Sequence, residues 1–370
     1  MRILYITRSD SVHDQRFMAA MLEGGHEVHL LRLLRGDLPV PEGVKLLDWH
    51  GVDLPIRLFA GRTVNELRKL LRKVKPDLVH AGPLQDAAWL AAKAGAKPLL
   101  AMSWGFDLMR DLERSARDRQ RARFALSKAD GLIVDALCSG DKAAMLGFNP
   151  YRIVRFPWGV DLEAFNPQAS REDGAALRRE LGWEDNLVFL CLRSWEANYG
   201  VDVLAKAFVR ASKADPRLRL LLLNDGSKRE QILGILRRGK ALDKVHLAGR
   251  VSNLELPKFY AAADVYVSPS HVDGSSVSLM EAMAMGLPSI VSDIPANKEW
   301  VQPGKQGCLF PDNDHKALAR RLQNSAHTDL TQMGEAARVW AEHKADWNIN
   351  KEILLDSYRH FGGQEVSKEA

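Results

Sequence analysis

Val267-Ser-Pro-Ser-His-Val-Asp-Gly-Ser-Ser-Val-Ser-Leu-Met-Glu-Ala-Met-Ala-Met-Gly-Leu-Pro-Ser-Ile-Val291 is the most informative stretch of the chain. It reads as a short strand, a polar loop, an apolar helix beginning near Ser275 or Ser276, and a second strand after a Gly-x-Pro break. Strand, crossover helix and strand in that order form the unit of a parallel sheet covered by helices.

The same alternation extends outward in both directions. Upstream of this stretch, strands are expected at Leu187–Leu192, Leu218–Leu223, Val245–Leu247 and Val265–Val267, with Ser289–Val291 closing the set. Helices are expected from Val201, Lys228, Leu256 and Val277. The first half repeats the pattern with Ile3–Thr7, Val28–Leu31, Val44–Asp48, Leu78–His80, Leu99–Ser103, Leu132–Val134 and Ile153–Arg155. The Gly24-Gly25-His26 step reads as a helix C-cap, where glycine turns the chain without a steric penalty. Asn166 to Asp185 carries Asn166-Pro167, a charged Arg171-Glu-Asp-Gly174 and no continuous apolar stripe, so the connection between two domains is expected there. Leu330 to Phe361 reads as helix with Trp340 and Trp347, suited to packing across both domains, and Gly362–Ala370 as a frayed end. The fold class is therefore α/β, two Rossmann-like domains in 370 residues.

Composition is that of an ordinary folded protein, with 46% apolar and 27% charged residues. No apolar run approaches the roughly 18 residues needed to span a bilayer, and Cys138, Cys191 and Cys308 lack metal or redox spacing. A reducing cytoplasm is the expected setting. The net charge of +5 arises entirely before residue 166. Part of it lies in Glu66-Leu-Arg-Lys-Leu-Leu-Arg-Lys-Val-Lys75, where Leu67, Leu70, Leu71 and Val74 recur at helical spacing beside Arg68, Lys69, Arg72 and Lys73. Two readings fit that face, a solvated helix packed by its leucines or peripheral contact with an anionic membrane. Nucleic acid is not an expected partner.

The carboxyl ends of two such sheets facing a common cleft would set the ligand position. At the quoted stretch, the amides of Gly274, Ser275, Ser276 and Val277 at a helix start form an anion site that needs no metal. Gly274 lets a phosphate approach the backbone. Glu281, eight positions after Asp273, could reach hydroxyls attached to that phosphate. The plainer alternative is that Asp273 or Ser275 is an N-cap and Glu281 a surface acid.

With Pro269-Ser270, Asp273-Gly274, Glu281-Ala-Met-Ala284 and Gly286-x-Pro288 in order, the sequence resembles the retaining glycosyltransferases of GT-B fold, family 4, also called glycosyl transferase group 1. Met1-Arg-Ile-Leu4 with Gly25-His-Glu-Val28, Lys75-Pro-Asp-Leu-Val-His80, Trp158-Gly-Val-Asp161 with Phe165, Gly249 before Val251, and Glu299 with Gly307 extend the likeness over nearly the whole chain. The resemblance implies an acceptor-side domain over 1–165, a nucleotide-sugar donor domain over 166–345, and a C-terminal helix and tail over 346–370. It implies that Glu281 holds the donor ribose, Gly274 to Val277 the distal phosphate, Arg250 and Val251 the base, and Asp225-Gly226 a neighbouring turn. Arg193 matches the family's phosphate-facing arginine, and Asp273 would stand at the sugar. The donor is a nucleoside-diphosphate sugar, a co-substrate rather than a cofactor. The acceptor would be a sugar, a lipid-linked molecule or a small molecule.

Three positions depart from the family pattern. Tyr199 stands where a lysine precedes the glycine, Asp273 replaces a glutamate, and Trp104 replaces a histidine that could exchange a proton. In an active subgroup Trp104 would stack on a sugar face, with Asp107 supplying a polar contact. On the acceptor side, the loop from Ser9 to Arg16 would offer Asp14 and Arg16. His80 reads as a buried, hydrogen-bonded residue. Asp312-Asn-Asp314 has the spacing of a metal-holding pair, but Asp314 is better placed as an N-cap, so no metal is expected. Two rival readings are an epimerase of nucleotide sugars on the same fold and a catalytically weakened nucleotide-sugar-binding protein.

Overall fold

The computed structural model describes residues 1–363 except Asp10, Asp37, Val52, Leu54 and Pro55, and leaves out the side chains of 56–59. The expected frayed end beyond residue 363 lies outside the described residues. The chain divides into two compact units, Met1–Trp158 with the residues from Asn348 onward, and Gly159–Trp347.

The first unit holds a parallel sheet of β1 (Arg2–Thr7), β2 (Glu27–Arg32), β3 (Lys45–Leu46), β4 (Leu78–Gly82), β5 (Leu99–Met102), β6 (Gly131–Val134) and β7 (Ile153–Arg155), in the order β3-β2-β1-β4-β5-β6-β7. The second holds β8 (Leu187–Cys191), β9 (Leu218–Leu223), β10 (Val245–Gly249), β11 (Val265–Ser268), β12 (Ser289–Ser292) and β13 (Gly307–Phe310), ordered β10-β9-β8-β11-β12-β13. All pairs are parallel, Leu187 to Cys191 of β8 lying beside Leu218 to Leu222 of β9.

Strands buried on both faces need apolar side chains in both directions. In β8, Val188 and Leu190 join one core with Leu279 and Met283, whereas Phe189 and Cys191 join the other with Leu204 and Phe208. The 277–284 helix (Val277–Ala284) therefore covers one side and the Val201–Ala214 helix the other.

The structure departs from the sequence expectation in several places. Strand β13 was not foreseen, because Gly-Cys-Leu-Phe is too short to show a period; it pairs with β12 from Ser289↔Gly307 to Ser292↔Phe310. The chain leaves the first unit at Trp158, and the expected connection contains a helix, Arg171–Leu181, that buries Gly174 and Leu177. The close packing of Gly174 explains the missing stripe, since a Cβ there would stand 2.5 Å from the Ala261 carbonyl carbon. The C-terminal stretch is two helices, Leu330–Lys344 and Trp347–Phe361, interrupted where Val160 donates to Ala345 O and Trp347 donates back to Val160 O. The second helix returns to the first unit, where Tyr358 hydroxyl lies 2.8 Å from His80 Nδ1 in a fully buried contact.

Candidate functional site

In each sheet the strand order reverses beside the first strand, between β1 and β4 and between β8 and β11. Ligands of open α/β sheets bind at the carboxyl ends of the strands flanking such a reversal. In the second unit, the segments leaving β8 and β11 there are the ones that carry Arg193 and 269–276.

Arg193 is the centre of that cluster. Its Nη2 lies 2.7 Å from Asp273 Oδ2, and the two side chains are only 11% and 16% exposed. Nη1 donates to Ser276 Oγ at 2.9 Å and to Ser278 Oγ at 3.2 Å. The guanidinium lies over the Tyr199 ring, 4.3 Å from its centroid, so an aromatic face supports the cation where a lysine was expected. Among the described residues, Arg193 Nε and Asp273 Oδ2 have no hydrogen-bond partner, so the ion pair is close but misaligned. Burial pushes the Asp273 carboxyl up, opposed by Arg193 and by the Gly274 amide that donates to it. Burial also works against the charge of Arg193, but Asp273 outweighs it and holds the guanidinium protonated.

Ser276 is the N-cap of the 277–284 helix, yet its side chain makes no cap hydrogen bond and its hydroxyl accepts from Arg193 instead. Gly274, Ser275 and Ser276 are buried beside it, with Val277 half-buried. The positive end of the helix and the guanidinium thus share one location, an arrangement that favours an anion with more than one charge.

One turn along, Glu281 Oε2 accepts from the Tyr260 hydroxyl at 2.7 Å. Tyr260 also donates to Ser278 O at 3.1 Å, and Tyr266 hydroxyl lies 2.7 Å from Ser278 Oγ. Ser278 therefore links the Arg193 cluster to Glu281. Tyr260, Tyr266 and Ser278 were not singled out from the sequence. The tyrosines lie upstream in a different helix and strand, and only packing brings them to the site.

The Tyr199 turn is locked to the β11 loop. His271 N donates to Asn198 O at 2.9 Å, and a Cβ at Gly200, whose φ is +62°, would meet Pro269 O at 2.1 Å. His271 Nδ1 lies 2.6 Å from Asp312 Oδ1, and Asp314 caps the His315–Asn324 helix by accepting from Lys316 and Ala317 amides at 2.9 Å each. Among the described residues no group of three or more His, Cys, Asp or Glu converges as a metal site would.

Four further expected donor residues lie on the turns after β9 and β10, where Asp225 O accepts from Trp195 N at 3.1 Å, two residues beyond Arg193. Asp225 accepts from Arg229 Nη1 at 2.9 Å, and Gly226 packs on the Trp195 backbone, 2.7 Å from where its Cβ would be. Arg250 is exposed just beyond β10, with Val251 half-buried after it.

In the first unit the acids are committed to the backbone. Ser11 opens the Val12–Glu23 helix as a capping box with Asp14, so Asp14 and Arg16 lie on a helix rather than in the expected loop. Asp14 Oδ1 accepts from Tyr5 hydroxyl at 2.6 Å and Oδ2 from Ser11 N at 2.8 Å, and the residue is 1% exposed. That leaves Asp14 little to offer an acceptor. Asp107 is fully buried, accepting from Ser103 Oγ at 2.5 Å, Leu84 N at 2.9 Å, Leu108 N at 3.0 Å and Trp104 N at 3.1 Å. Burial pushes its carboxyl up to about 6 against those bonds. Its role here is to shape the loop that presents Trp104. Trp104 is half-buried in an aromatic group with Trp158 at 5.9 Å, His13 at 6.1 Å and Phe17 at 6.2 Å between ring centroids. His13, missed in the sequence, is held neutral by burial and by Arg16, its pKa lowered to about 4.

The basic helix is Ile56–Val74, with Leu67 and Val74 buried and Arg68, Lys69, Arg72 and Lys73 exposed. Among the described residues no helix is long and apolar enough to cross a membrane.

Residues 185–327 match the family described as glycosyl transferases group 1, and residues 2–136 match glycosyl transferase 4-like. The D-inositol 3-phosphate glycosyltransferase of Thermobifida fusca is 28% identical over 317 residues, covering 76% of this chain and 69% of its own. A GDP-mannose-dependent alpha-(1-6)-phosphatidylinositol monomannoside mannosyltransferase of Mycobacterium tuberculosis is 26% identical over 320 residues, with 82% and 81% covered. Among solved structures, Anabaena Alr3699/HepE in complex with UDP superposes with a TM-score of 0.81 over 97% of this chain and 100% of that one, at 17% identity, a likeness of fold.

Proposed function

We propose, from the premise that this chain belongs to the group 1, family 4 glycosyltransferases of GT-B fold, which move a sugar from a nucleotide-sugar donor to an acceptor, that it does so with retention and without a metal ion. The carrying observation is Arg193, a charged guanidinium sunk among Asp273, Ser276, Ser278 and Tyr199 at an uncapped helix start. In this reading the donor diphosphate sits between Arg193 and the amides of Gly274 to Val277. Glu281 holds the ribose, Asp273 the sugar, and the chain at Arg250 and Val251 the base, with the Asp225-Gly226 turn beside it.

The acceptor hydroxyl attacks the anomeric carbon on the face from which the phosphate departs. The new C–O bond forms as the old one breaks, and the departing phosphate oxygen takes the acceptor proton. Such a step needs orientation and neutralisation of the leaving charge more than a strong base. That suits a site whose cation, Arg193, is held protonated by Asp273. Metal independence is supported by the two positive elements already at the phosphate position and by the engagement of Asp312 with His271 and Asp314 with its helix. On the acceptor side, Trp104 would offer an aromatic face to a sugar or other hydroxyl-bearing acceptor, with Arg16 nearby. The four exposed cations of the Ile56–Val74 helix support contact with an anionic membrane surface when the acceptor is lipid-linked.

The relatives name different donors, so the test is a melting screen of UDP- and GDP-sugars, in which a ligand of the folded state raises the transition temperature. Stabilisation by one donor class, followed by transfer to an acceptor with the anomeric configuration kept, is the expected result. Release of free sugar and nucleotide with no acceptor present would favour an epimerase instead, and donor binding without any turnover a weakened binding protein.

A further inference from the structure

Arg193 is already engaged through both terminal nitrogens before any donor arrives. Asp273, two serine hydroxyls and the Tyr199 face surround it, and among the described residues only Nε has no partner. A diphosphate entering this position takes Arg193 as its own counter-charge, whether the guanidinium turns away from Asp273 or is shared. Asp273 is then a carboxylate in a place where burial already disfavours its charge, and a phosphate has arrived beside it. Sugar hydroxyls attached to that phosphate can donate to the exposed need of the carboxylate. A nucleoside diphosphate that has lost its sugar brings the same negative charge and no such donor.

We propose that Asp273 is a specificity-determining residue that sets the preference for an intact nucleotide sugar over the spent nucleoside diphosphate, by exchanging Arg193 for sugar hydroxyls when the donor binds. The misaligned geometry of the pair, at 2.7 Å without a hydrogen bond to Oδ2, fits a contact built to be given up. Retention of product by the buried cation is thereby opposed by the acid that stands next to it. The inference rests on the reading of Arg193 and the 273–277 segment as the donor site.

The test is calorimetric titration of UDP against UDP-glucose and of GDP against GDP-mannose, on the wild type and on Asp273→Asn. Removing the negative charge should tighten the nucleoside diphosphate by roughly tenfold, as expected for a like charge a few ångströms away, and should weaken the sugar nucleotide or leave it unchanged. The ratio of the two affinities would collapse. In an Arg193→Gln background the substitution should still tighten the nucleoside diphosphate, because the repulsion does not need the arginine, but the effects of the two substitutions on the ratio should not add, because the exchange does. Asp273→Ser is the second variant should the asparagine protein fail to fold, with thermal melts checking both. An unchanged ratio in a folded Asp273 variant of a protein that does bind the donor overturns the exchange alone. Failure of the wild type to bind any of the four compounds overturns the donor-site reading, and the exchange with it.

Discussion

The buried acids of the two units differ in what their oxygens touch, and that difference separates scaffold from site. Asp107 and Asp14 lie in the first unit at the carboxyl end of the sheet, and both are consumed by nearby groups: four donors for Asp107, and the Ser11 cap and Tyr5 for Asp14. Asp273 sits at the corresponding end of the second sheet, and although its carboxyl takes the Gly274 amide, its Oδ2 faces a guanidinium without a hydrogen bond. Burial raises the carboxyl of each. A shifted pKa alone would rank them together, whereas the partners distinguish an acid that shapes a loop from one whose contact a ligand can replace.

The largest effect is expected at Arg193. Arg193→Ala should lower kcat/KM by roughly a hundred- to a thousandfold, the scale seen when one charge-stabilising donor is lost, with Arg193→Lys intermediate because charge remains but the fork does not. Steady-state rates of all three proteins decide it, and equal rates would remove Arg193 from the site. Next is Asp107→Ala, expected to cost about 3 kcal/mol of stability in a urea melt by stranding several buried donors.

Asp107 should also make stability depend on pH. Its folded-state pKa of about 6 lies above the unfolded value near 3.8, so the folded protein holds the proton longer. This contribution is complete below the unfolded pKa and is lost as pH rises from about 4 to 6. Melting temperatures of wild type and Asp107→Asn across that window should converge on the acid side and move in the wild type's disfavour toward pH 6, since the asparagine cannot titrate. A difference that runs the other way would mean that the four hydrogen bonds outweigh burial.

Smaller again is Glu281→Ala, expected to weaken donor binding by about 1–3 kcal/mol through lost ribose hydrogen bonds. Unchanged donor affinity by calorimetry in the folded variant would refute that role. The least effect of all is expected from chelation. With a soluble acceptor, excess EDTA should leave the rate unchanged, and abolition reversed by magnesium or manganese would return Asp312 and Asp314 to consideration as ligands.

The strands were legible because parallel sheets leave β-rich runs between helices, and most boundaries fell within two residues. What escaped had little local signal. Strand β13 is four residues beginning at a glycine, and the Arg171–Leu181 helix has its inner face partly made by Gly174, which shows no hydrophobicity. The capping box at Ser11-x-x-Asp14 was readable as a helix start and would have moved Asp14 out of the acceptor loop. At the site, Arg193, Asp273 and Ser276 were legible from the chain and lie together. Their connection to Glu281 through Ser278, Tyr260 and Tyr266 was not, because the tyrosines come from Leu256–Ala261 and β11 and meet Ser278 only when the sheet is assembled.

Gly200 has a consequence for engineering. Any side chain there would drive into the Pro269 carbonyl, and the neighbouring Asn198 and His271 backbones are already joined. The 195–200 and 267–275 segments are thus a matched pair, and the fit between them holds Tyr199 beneath Arg193. Grafting one of them alone from a relative of different donor preference would mismatch the seam and tilt the aromatic shelf, whereas transplanting both preserves it. Shuffled libraries of this enzyme should therefore keep working members mainly where those two loops descend from the same parent.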